Sequence, residues 1–402
     1  MTLLFSFYKP LFLFSKLMLL APVSEIHNPE TMEKSYIFHE YQFRVNLLLV
    51  SLMSIGQIVS MYYRFQELHP NGKRSGNPDS DHFIPDKMII FAAFILSSMI
   101  LALVGVVKTK TNFNRLLSLH KTLCHIDSLL QRPSKRGKFK YIAAFLIFFN
   151  ATLLAMDCCV WKFTTVERVI FSLCLFSRLM CATILVQYGD IVLSIRSRFC
   201  HINVALHQEL ANYFRQDIIW IVSRRKNLLP ARSIARRRVG ELFQLFWYTT
   251  RCVKLVNEAF GGLIFGMIVM TSFQLIGIPH FLISMFDNTT KLSVEHKLCA
   301  LCDFLWMCCF CFALSVLVIP PALASTEGNR TAVIVCKFLS TNTEEYFLEE
   351  LKTFVFRQNC LLLDFVATDI LKLKLPLLTS VFGWSATYLL ISIQIRNAVS
   401  VL

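Results

Sequence analysis

Charged residues are scarce in this 402-residue chain, where Asp, Glu, Lys and Arg together make up 17%. Soluble domains carry about 25%, so this scarcity argues against two or three soluble domains. The chain is not low in hydrophobicity either, because hydrophobic residues make up 55% of it and Phe alone contributes 36 residues. An intrinsically disordered chain needs the opposite composition. For this length, 14 cysteines are too few for a secreted disulfide scaffold.

The sequence motifs of common enzyme classes are missing too. The chain contains no GxxxxGKS/T, GxGxxG, HExxH or GxSxG pattern, so phosphate loops, dinucleotide sites, zinc proteases and serine hydrolases are excluded. Cys299 and Cys302 precede three more cysteines in one apolar run. Packing between helices accounts for them better than a zinc or redox site, whose sulfurs would have to converge outside lipid. We therefore expect no enzyme activity, no metal and no cofactor.

What the sequence has instead is long apolar runs. A helix that spans a bilayer needs about 20 predominantly apolar residues, and several stretches qualify. They cover residues 45–63, 88–107, 141–161, 169–195, 259–286, 298–321 and 375–395. Another apolar stretch, residues 3–20, is interrupted by Lys9, Pro10 and Lys16, which predicts an interfacial amphipathic helix rather than a signal peptide. The predicted fold class is an all-α membrane protein with seven transmembrane helices.

Basic residues are distributed unevenly between these spans. The N-terminal segment and every second connection hold 31 of the 41 Lys and Arg residues, whereas the alternate connections and the C-terminal tail hold nine. The positive-inside rule therefore predicts a cytoplasmic N-terminus and an extracellular C-terminus. It also explains the net charge of +15 without a nucleic-acid partner. A G-protein-coupled receptor has the opposite orientation, and the matching triplet Glu167-Arg168-Val169 falls in a loop predicted to be outside, so we interpret it as a chance match.

The spans and charges predict the organisation of the chain. It comprises a cytoplasmic N-terminal segment (1–42), transmembrane helices 1–4 (43–195), a cytoplasmic amphipathic helical loop (196–256), helices 5 and 6 (257–321), a second cytoplasmic loop (322–374), the seventh helix (375–396) and an extracellular tail (397–402). Within the first loop, apolar residues recur at three- and four-residue steps over residues 199–220 and 241–260. This periodicity predicts two amphipathic helices below the membrane, where subunits would contact each other.

Charges inside the apolar spans are costly in lipid and need an explanation. Asp157 and Asp303 lie near the predicted outer ends of their spans, and Arg178 lies about 15 Å deep at the rise of a helix. Together with Trp306, these residues are the predicted ligand pocket, open to the outside. A purely structural pairing of Arg178 with one Asp is the alternative, and the two interpretations can coexist.

Two glycosylation sequons lie on opposite sides of the predicted sixth span. Asn288 begins the one on the predicted outer side, close to the membrane, and Asn329 begins the other. Asn288 is the predicted glycosylation site. Because the sequons fall on both sides, they do not settle the topology.

The end of the chain carries the most specific motif. Thr387-Tyr388 is followed by five mostly apolar residues, then Gln394 and Ile395, which resembles the Thr-Tyr, five residues, Gln, Phe signature of insect gustatory receptors. Ile395 replaces the Phe, and Ser392 makes the central run less apolar. The upstream residues 377–386 are similar to the same family. Residues 11–22 resemble its short N-terminal helix, and residues 257–261 resemble the start of its fifth span.

The resemblance implies a tetrameric, ligand-gated, non-selective cation channel of the plasma membrane, with homo- or heteromeric subunits and a small-molecule tastant. Its last helix lines the pore. Gln394 would form a polar ring, Ile391 an apolar constriction, and Tyr388 would anchor the helix against its neighbours. The alternatives are an odorant-receptor-like subunit that needs a co-receptor, or a membrane transporter, for which we find no half-to-half correspondence.

Overall fold

The computed structural model describes residues 23–27, 34–68, 83–130, 148–153, 155–156, 165–223, 229–287, 294–339, 345–361 and 363–401. These residues are nearly all helical. Helices long and apolar enough to cross a membrane contain the windows Glu40–Val59, Phe176–Arg215, Ser233–His280, Lys297–Cys336 and Leu375–Ile395. The predicted interfacial helix at residues 3–20 lies outside the described residues, as does most of the predicted third span, of which residues 148–153 and 155–156 are helical.

Long apolar runs with few helix breakers produce the main helices, apart from the 16-residue helix Glu345–Cys360, which is amphipathic. They are α1 (Glu40–Leu68), α2 (Phe83–Leu130), α3 (Thr165–Ser223), α4 (Leu229–Asp287), α5 (Val294–Cys336), α6 (Glu345–Cys360) and α7 (Leu375–Val401). Each predicted span other than the third lies inside one of these helices. Pro279 lies within α4, and Pro320 and Pro321 lie within α5. Both helices continue beyond these prolines, which lack the backbone N–H of a helical residue.

The helices α3 and α4 each run for 59 residues without a break. At 1.5 Å per residue this is about 90 Å, about three times the thickness of a bilayer's hydrocarbon core. The predicted amphipathic helices are therefore continuations of the spans and not separate elements. Their apolar faces form the main core, in which Ile202, Leu206 and Leu210 are fully buried.

Aromatic side chains fix α6 against the extended parts of α3 and α4. The rings of Phe354 and Phe243 stack with centroids 3.9 Å apart. Those of Phe347 and Tyr213 are 4.4 Å apart. All four side chains are buried, so α6 is an integral layer of this helical bundle.

A short hairpin precedes α1, where the sequence predicts no strand. Strands β1 (Val23–His27) and β2 (Lys34–Phe38) pair antiparallel, with Val23 opposite Phe38. The ring of Phe38 lies 5.3 Å from that of Phe113 on α2. The hairpin therefore reaches the helical bundle through an aromatic contact.

A second hairpin precedes α7. Strands β3 (Val366–Ala367) and β4 (Leu371–Lys372) pair antiparallel around a turn in which Thr368 and Asp369 have positive φ angles of 55° and 58°. This left-handed conformation is unusual for a β-branched residue such as Thr. The turn packs on Gly261 of α4, where a Cβ atom would lie 3.1 Å from Thr368 N. Only glycine permits this approach without displacement.

Burial within the single chain differs greatly between the candidate spans. The window in α3 is 72% buried and that in α4 is 61% buried, whereas the values for α1 and α7 are 22% and 6%. Leu48, Leu52 and Ile55 on α1 are exposed, as expected for side chains that face lipid. Thus α3 and α4 are central, and α1 and α7 are peripheral.

Candidate functional site

The three residues of the predicted pore and gate lie on the exposed side of α7. Tyr388 is 52% exposed and Ile391 is 49% exposed, and Gln394 is exposed as well. Positions three apart share a helix face, so these side chains follow one another along α7. Ser385 and Leu389 are on its covered side, which packs on α4 and α5. The helix therefore presents the predicted residues away from its own bundle.

The segment before α7 is held by Asp364. Its Oδ2 lies 3.1 Å from Lys372 Nζ, and its Oδ1 lies 3.0 Å from Lys374 Nζ. Its backbone carbonyl accepts a 3.1 Å hydrogen bond from Asn257 Nδ2 on α4. Burial disfavours the charged carboxylate, but hydrogen bonds and charge from Lys374 and Lys372 outweigh it and hold the pKa of Asp364 below its ordinary value. This cluster connects the start of α7 to α4.

Residues 257–261, which resemble the start of the family's fifth span, are a meeting point of three elements. Besides the bond from Asn257 to the segment before α7, two bonds come from α2. Asn112 Nδ2 donates to the Ala259 carbonyl at 2.6 Å, and Arg115 Nη1 donates to the Glu258 carbonyl at 3.1 Å. These contacts and the packing of the hairpin on Gly261 explain structurally why these residue types are needed at positions 257 and 261.

Two of the four predicted pocket residues are in direct contact. The guanidinium carbon of Arg178 lies 3.8 Å from the ring centroid of Trp306 and 5.5 Å from that of Phe310. Asp303 is half-buried one turn before Trp306 on α5, and Asp157 lies outside the described residues. A cation over an aromatic face is stabilised by the ring quadrupole, and more strongly where water is excluded. The arrangement offers a cationic and aromatic wall inside the bundle.

Sequence reasoning missed uncharged polar residues that cross-link the same region. Gln57 Nε2 on α1 donates to Ser177 Oγ, next to Arg178, at 3.3 Å. Cys309 Sγ on α5 lies 3.7 Å from Asn150 Oδ1 and donates to it. All of these side chains are buried. An amide within an apolar span is a detectable signal, because a buried polar group needs a partner.

The two sequons have different outcomes. Asn288 lies outside the described residues. In the second sequon, which begins at Asn329, Thr331 is fully buried and its hydroxyl donates to Asn203 Oδ1 at 2.6 Å. Asn203 Nδ2 in turn donates to the Glu327 carbonyl at 2.8 Å. Thr331 is thus a structural residue that joins α5 to α3.

The cysteines of α5 point to different sides of the helix. Cys302 and Cys309 are buried, whereas Cys308 is exposed. Within the part of the chain that the structure describes, no group of three His, Cys, Asp or Glu side chains is placed to hold a metal ion.

Comparison with known proteins identifies the class. A family profile described as 7tm Chemosensory receptor matches residues 87–398. Since this match covers most of the chain, the protein belongs to the 7tm chemosensory receptor family. Its members are membrane receptors rather than enzymes, which confirms the expectation of no enzyme activity.

Individual relatives are of two kinds. The Gustatory receptor for sugar taste 43a of Drosophila melanogaster is 28% identical over 147 residues, and the match covers 37% of this chain and only 33% of the relative. The fold is similar to that of the insect olfactory receptor OR5 from Machilis hrabei, with a TM-score of 0.63 at 11% identity and coverage of 97% and 98% of the two chains. For the same receptor in complex with eugenol, the TM-score is 0.56 at 11% identity, with coverage of 98% and 99%. The resemblance to insect chemoreceptors is confirmed.

Proposed function

We propose that this chain is a subunit of a gustatory-receptor-like, ligand-gated, non-selective cation channel in the plasma membrane. The observation that carries the proposal is the exposure of α7. Only 6% of its apolar window is buried by the rest of the chain. No Asp, Glu, Lys or Arg lies between Lys374 and Arg396, so the helix is apolar enough to remain in a membrane.

An exposed amide on such a helix needs a polar environment. Gln394 is exposed on α7, and an unsatisfied polar group is costly in lipid. A water-filled pore provides partners for the amide. Four copies of Gln394 around an axis form an uncharged ring that passes several cations, and Ile391 forms an apolar constriction that gates by dewetting. Tyr388 anchors the helix against its neighbours.

Assembly as a homo- or heterotetramer is supported by exposed apolar residues outside the candidate spans. Phe356 on α6 is 72% exposed, and Ile370 in the β3–β4 turn is 79% exposed. Large apolar side chains that water would otherwise surround favour contact with another subunit. Within the candidate span of α7, Trp384 is 81% exposed. Exposed apolar surface for assembly is therefore present both outside the spans and on α7.

The ligand is a small-molecule tastant. Arg178 and Trp306, with Asp303 and Asp157, are the proposed pocket, since a cation–aromatic wall binds both aromatic and anionic groups. The olfactory receptor with the similar fold has been solved in complex with eugenol. That complex supports a small organic ligand for this fold.

The direct test is expression in cells without other chemoreceptors and measurement of calcium entry during a tastant panel. Gln394→Glu should increase divalent permeability or block, because a carboxylate ring raises the local cation concentration. Gln394→Arg should suppress cation current, and Ile391→Ala should raise ligand-independent leak. Ile55→Ala on the exposed side of α1 is the matched control. Unchanged selectivity, block and basal current in variants that reach the surface would show that α7 does not line the pore.

The proposed topology has its own test. A tag at the N-terminus should be reached by antibody only after permeabilisation, whereas a tag after Leu402 should be reached in intact cells. Glycosylation at Asn288, read as a mobility shift that Asn288→Gln abolishes, would place that loop outside. A C-terminal tag hidden in intact cells contradicts the inverted orientation.

An odorant-receptor-like subunit is the second candidate, because the overall fold is similar to that of an olfactory receptor. Such a subunit would need a co-receptor. A current from this chain alone favours the gustatory type, and a current only in the presence of a co-receptor favours the odorant type.

A further inference from the structure

A side-chain hydrogen bond joins α7 to α4 at the level of the proposed gate. Ser392 Oγ and His280 Nδ1 lie 2.8 Å apart, with both groups partly buried and 112 positions apart in the sequence. Either group can be the donor, since a neutral imidazole has two tautomers and a hydroxyl both donates and accepts. The bond connects two helices that are far apart in the sequence.

Ser392 is the residue that makes the run between Thr387 and Gln394 less apolar than the gustatory-receptor motif. A hydroxyl in a span must find a partner, and His280 provides one from another helix. Ser392 is half-buried, whereas its sequence neighbour Ile391 is exposed. The departure from the motif therefore has a structural counterpart on α4.

The position of His280 on α4 makes the contact adjustable. It directly follows Pro279, which has no N–H to donate to the carbonyl of Leu275 one turn earlier. Helices bend preferentially at such a site. A change of bend in α4 would therefore be transmitted to α7 through the His280–Ser392 bond.

We propose that His280 is a positioning residue that sets the rotation of α7 through Ser392. The proposal rests on α7 lining the pore. Successive residues of a helix are about 100° apart, so Ile391 lies about 100° and Gln394 about 200° around the helix from Ser392. Holding Ser392 against α4 keeps Ile391 and Gln394 turned away from the bundle, and a rotation of α7 that breaks the bond moves both side chains relative to the pore axis.

The test is a double-mutant cycle in the full-length receptor, corrected for surface expression. His280→Phe and Ser392→Ala should each change basal current or ligand potency about threefold or more in the same direction, and the double variant should change it no further. His280→Asn places an amide near the Nδ1 position, so this variant, unlike His280→Phe, should behave like the wild-type receptor. Ser385→Ala is the matched control, because the Ser385 hydroxyl donates to the Val381 carbonyl of its own helix at 2.9 Å.

The outcomes separate this proposal from the channel assignment. Additive effects of the two substitutions, or no effect of either on current and potency, overturn the role of His280. If the wild-type receptor carries no current either alone or together with a second chemoreceptor subunit, the proposed function is wrong. The same double-mutant cycle can then be measured as thermal stability in detergent, which tests whether the bond holds α7 against α4. Additive losses of stability would show that it does not.

Discussion

Asp127 Oδ2 accepts a 2.7 Å hydrogen bond from Arg198 Nη2, between the parts of α2 and α3 that extend beyond the predicted spans. The side chain of Arg198 is 1% exposed and that of Asp127 is 15% exposed. Arg198 Nη1 also donates to the Ser194 carbonyl at 2.9 Å. A buried charge is tolerated when it is paired and hydrogen-bonded, so this ion pair depends on both partners.

Removing the carboxylate should be the most damaging change to this pair. Asp127→Asn leaves the Arg198 charge buried without a counter-ion, and we expect a loss of about 3 kcal/mol or more of folding free energy. Replacing both residues, as in Asp127→Leu with Arg198→Met, should recover much of the loss, since no uncompensated charge remains. The measurement is the thermal stability of the detergent-solubilised receptor, read as the loss of its monodisperse chromatographic peak.

An exposed ion pair of the same chemistry provides the control. Arg237 Nε lies 3.2 Å from Glu241 Oε1, with side chains 83% and 59% exposed. Glu241→Gln should change stability by less than about 0.5 kcal/mol, because water screens the pair. Equal losses for Asp127→Asn and Glu241→Gln would mean that burial does not strengthen the dependence on Asp127.

The sequence predicts the helices well because apolar runs and periodicity determine them locally. The predicted end of the fourth span near residue 195 and the predicted start of the fifth near residue 256 were set by the thickness of a membrane. Leaving the membrane does not by itself end a helix. No proline lies at either boundary, and the pair Gly261-Gly262 shortly after the second one does not end the helix. Thus α3 and α4 continue through both positions. The β1–β2 hairpin was not predicted, because strands of five residues depend on pairing with each other and on Phe113, which only the tertiary structure brings near.

The candidate site was predicted from charged residues within the apolar spans. Uncharged polar residues of the same region were missed for that reason. Arg178 stands out in the sequence because a charge in a span is costly. Its guanidinium lies over the Trp306 ring, and its role in a ligand pocket stays a prediction. The partners of Gln57 and Asn150 were missed because an uncharged amide gives a weaker signal. His280 was missed for another reason, since a partner 112 positions away depends on how α4 and α7 are placed against each other.

Enlarging Gly261 should displace the hairpin that precedes α7. A Cβ atom there would lie 3.1 Å from Thr368 N and 3.4 Å from Val366 O. Both are backbone atoms, and Asn257 holds the adjoining segment to α4. We expect Gly261→Ala to cost about 1–3 kcal/mol of stability through overpacking, measured as a lower melting temperature and reduced surface expression.

Gly240 is the matched glycine on the same helix. The nearest side-chain or backbone atom to a Cβ at that position is Glu350 Oε1, at 4.0 Å. Gly240→Ala should therefore be neutral or stabilising by up to about 1 kcal/mol, because alanine has the higher helix propensity. A Gly261→Ala receptor as stable as Gly240→Ala would show that the hairpin yields to the added methyl group.

Acid should weaken the cluster around Asp364. Lys374 and Lys372 hold the pKa of this carboxyl below its ordinary value of 3.8, so the folded state binds the proton less readily than the unfolded state. The stabilisation is complete above about pH 4 and is lost as the pH falls through the folded-state pKa. Wild-type melting temperature should therefore fall more steeply below pH 4 than that of Asp364→Asn, which should be less stable at pH 7. Glu349→Gln, on the exposed side of α6, should keep the wild-type profile.

The contact between Arg178 and Trp306 predicts how the proposed pocket responds to substitution. Arg178→Ala should shift agonist potency about tenfold while surface expression remains measurable, because it removes the cationic part of the proposed pocket wall, and a cation–π contact in a desolvated site is worth about 1–2 kcal/mol. Arg178→Lys should not restore potency, since the planar guanidinium that lies over the ring is lost. Trp306→Phe keeps an aromatic face with a weaker quadrupole and should fall between Arg178→Ala and the wild-type receptor.

Dose–response curves of calcium entry, corrected for surface expression, distinguish a ligand pocket from a structural pair. Arg237→Ala, at an exposed position far along α4, is the control and should leave potency unchanged. If Arg178→Ala instead abolishes surface expression and Asp303→Asn or Asp157→Asn restores it, Arg178 compensates a buried carboxylate and does not contact the ligand. That result follows from the cost of leaving one buried charge without its counter-ion. A shift in potency at normal expression and unchanged basal current would support contact between Arg178 and the ligand.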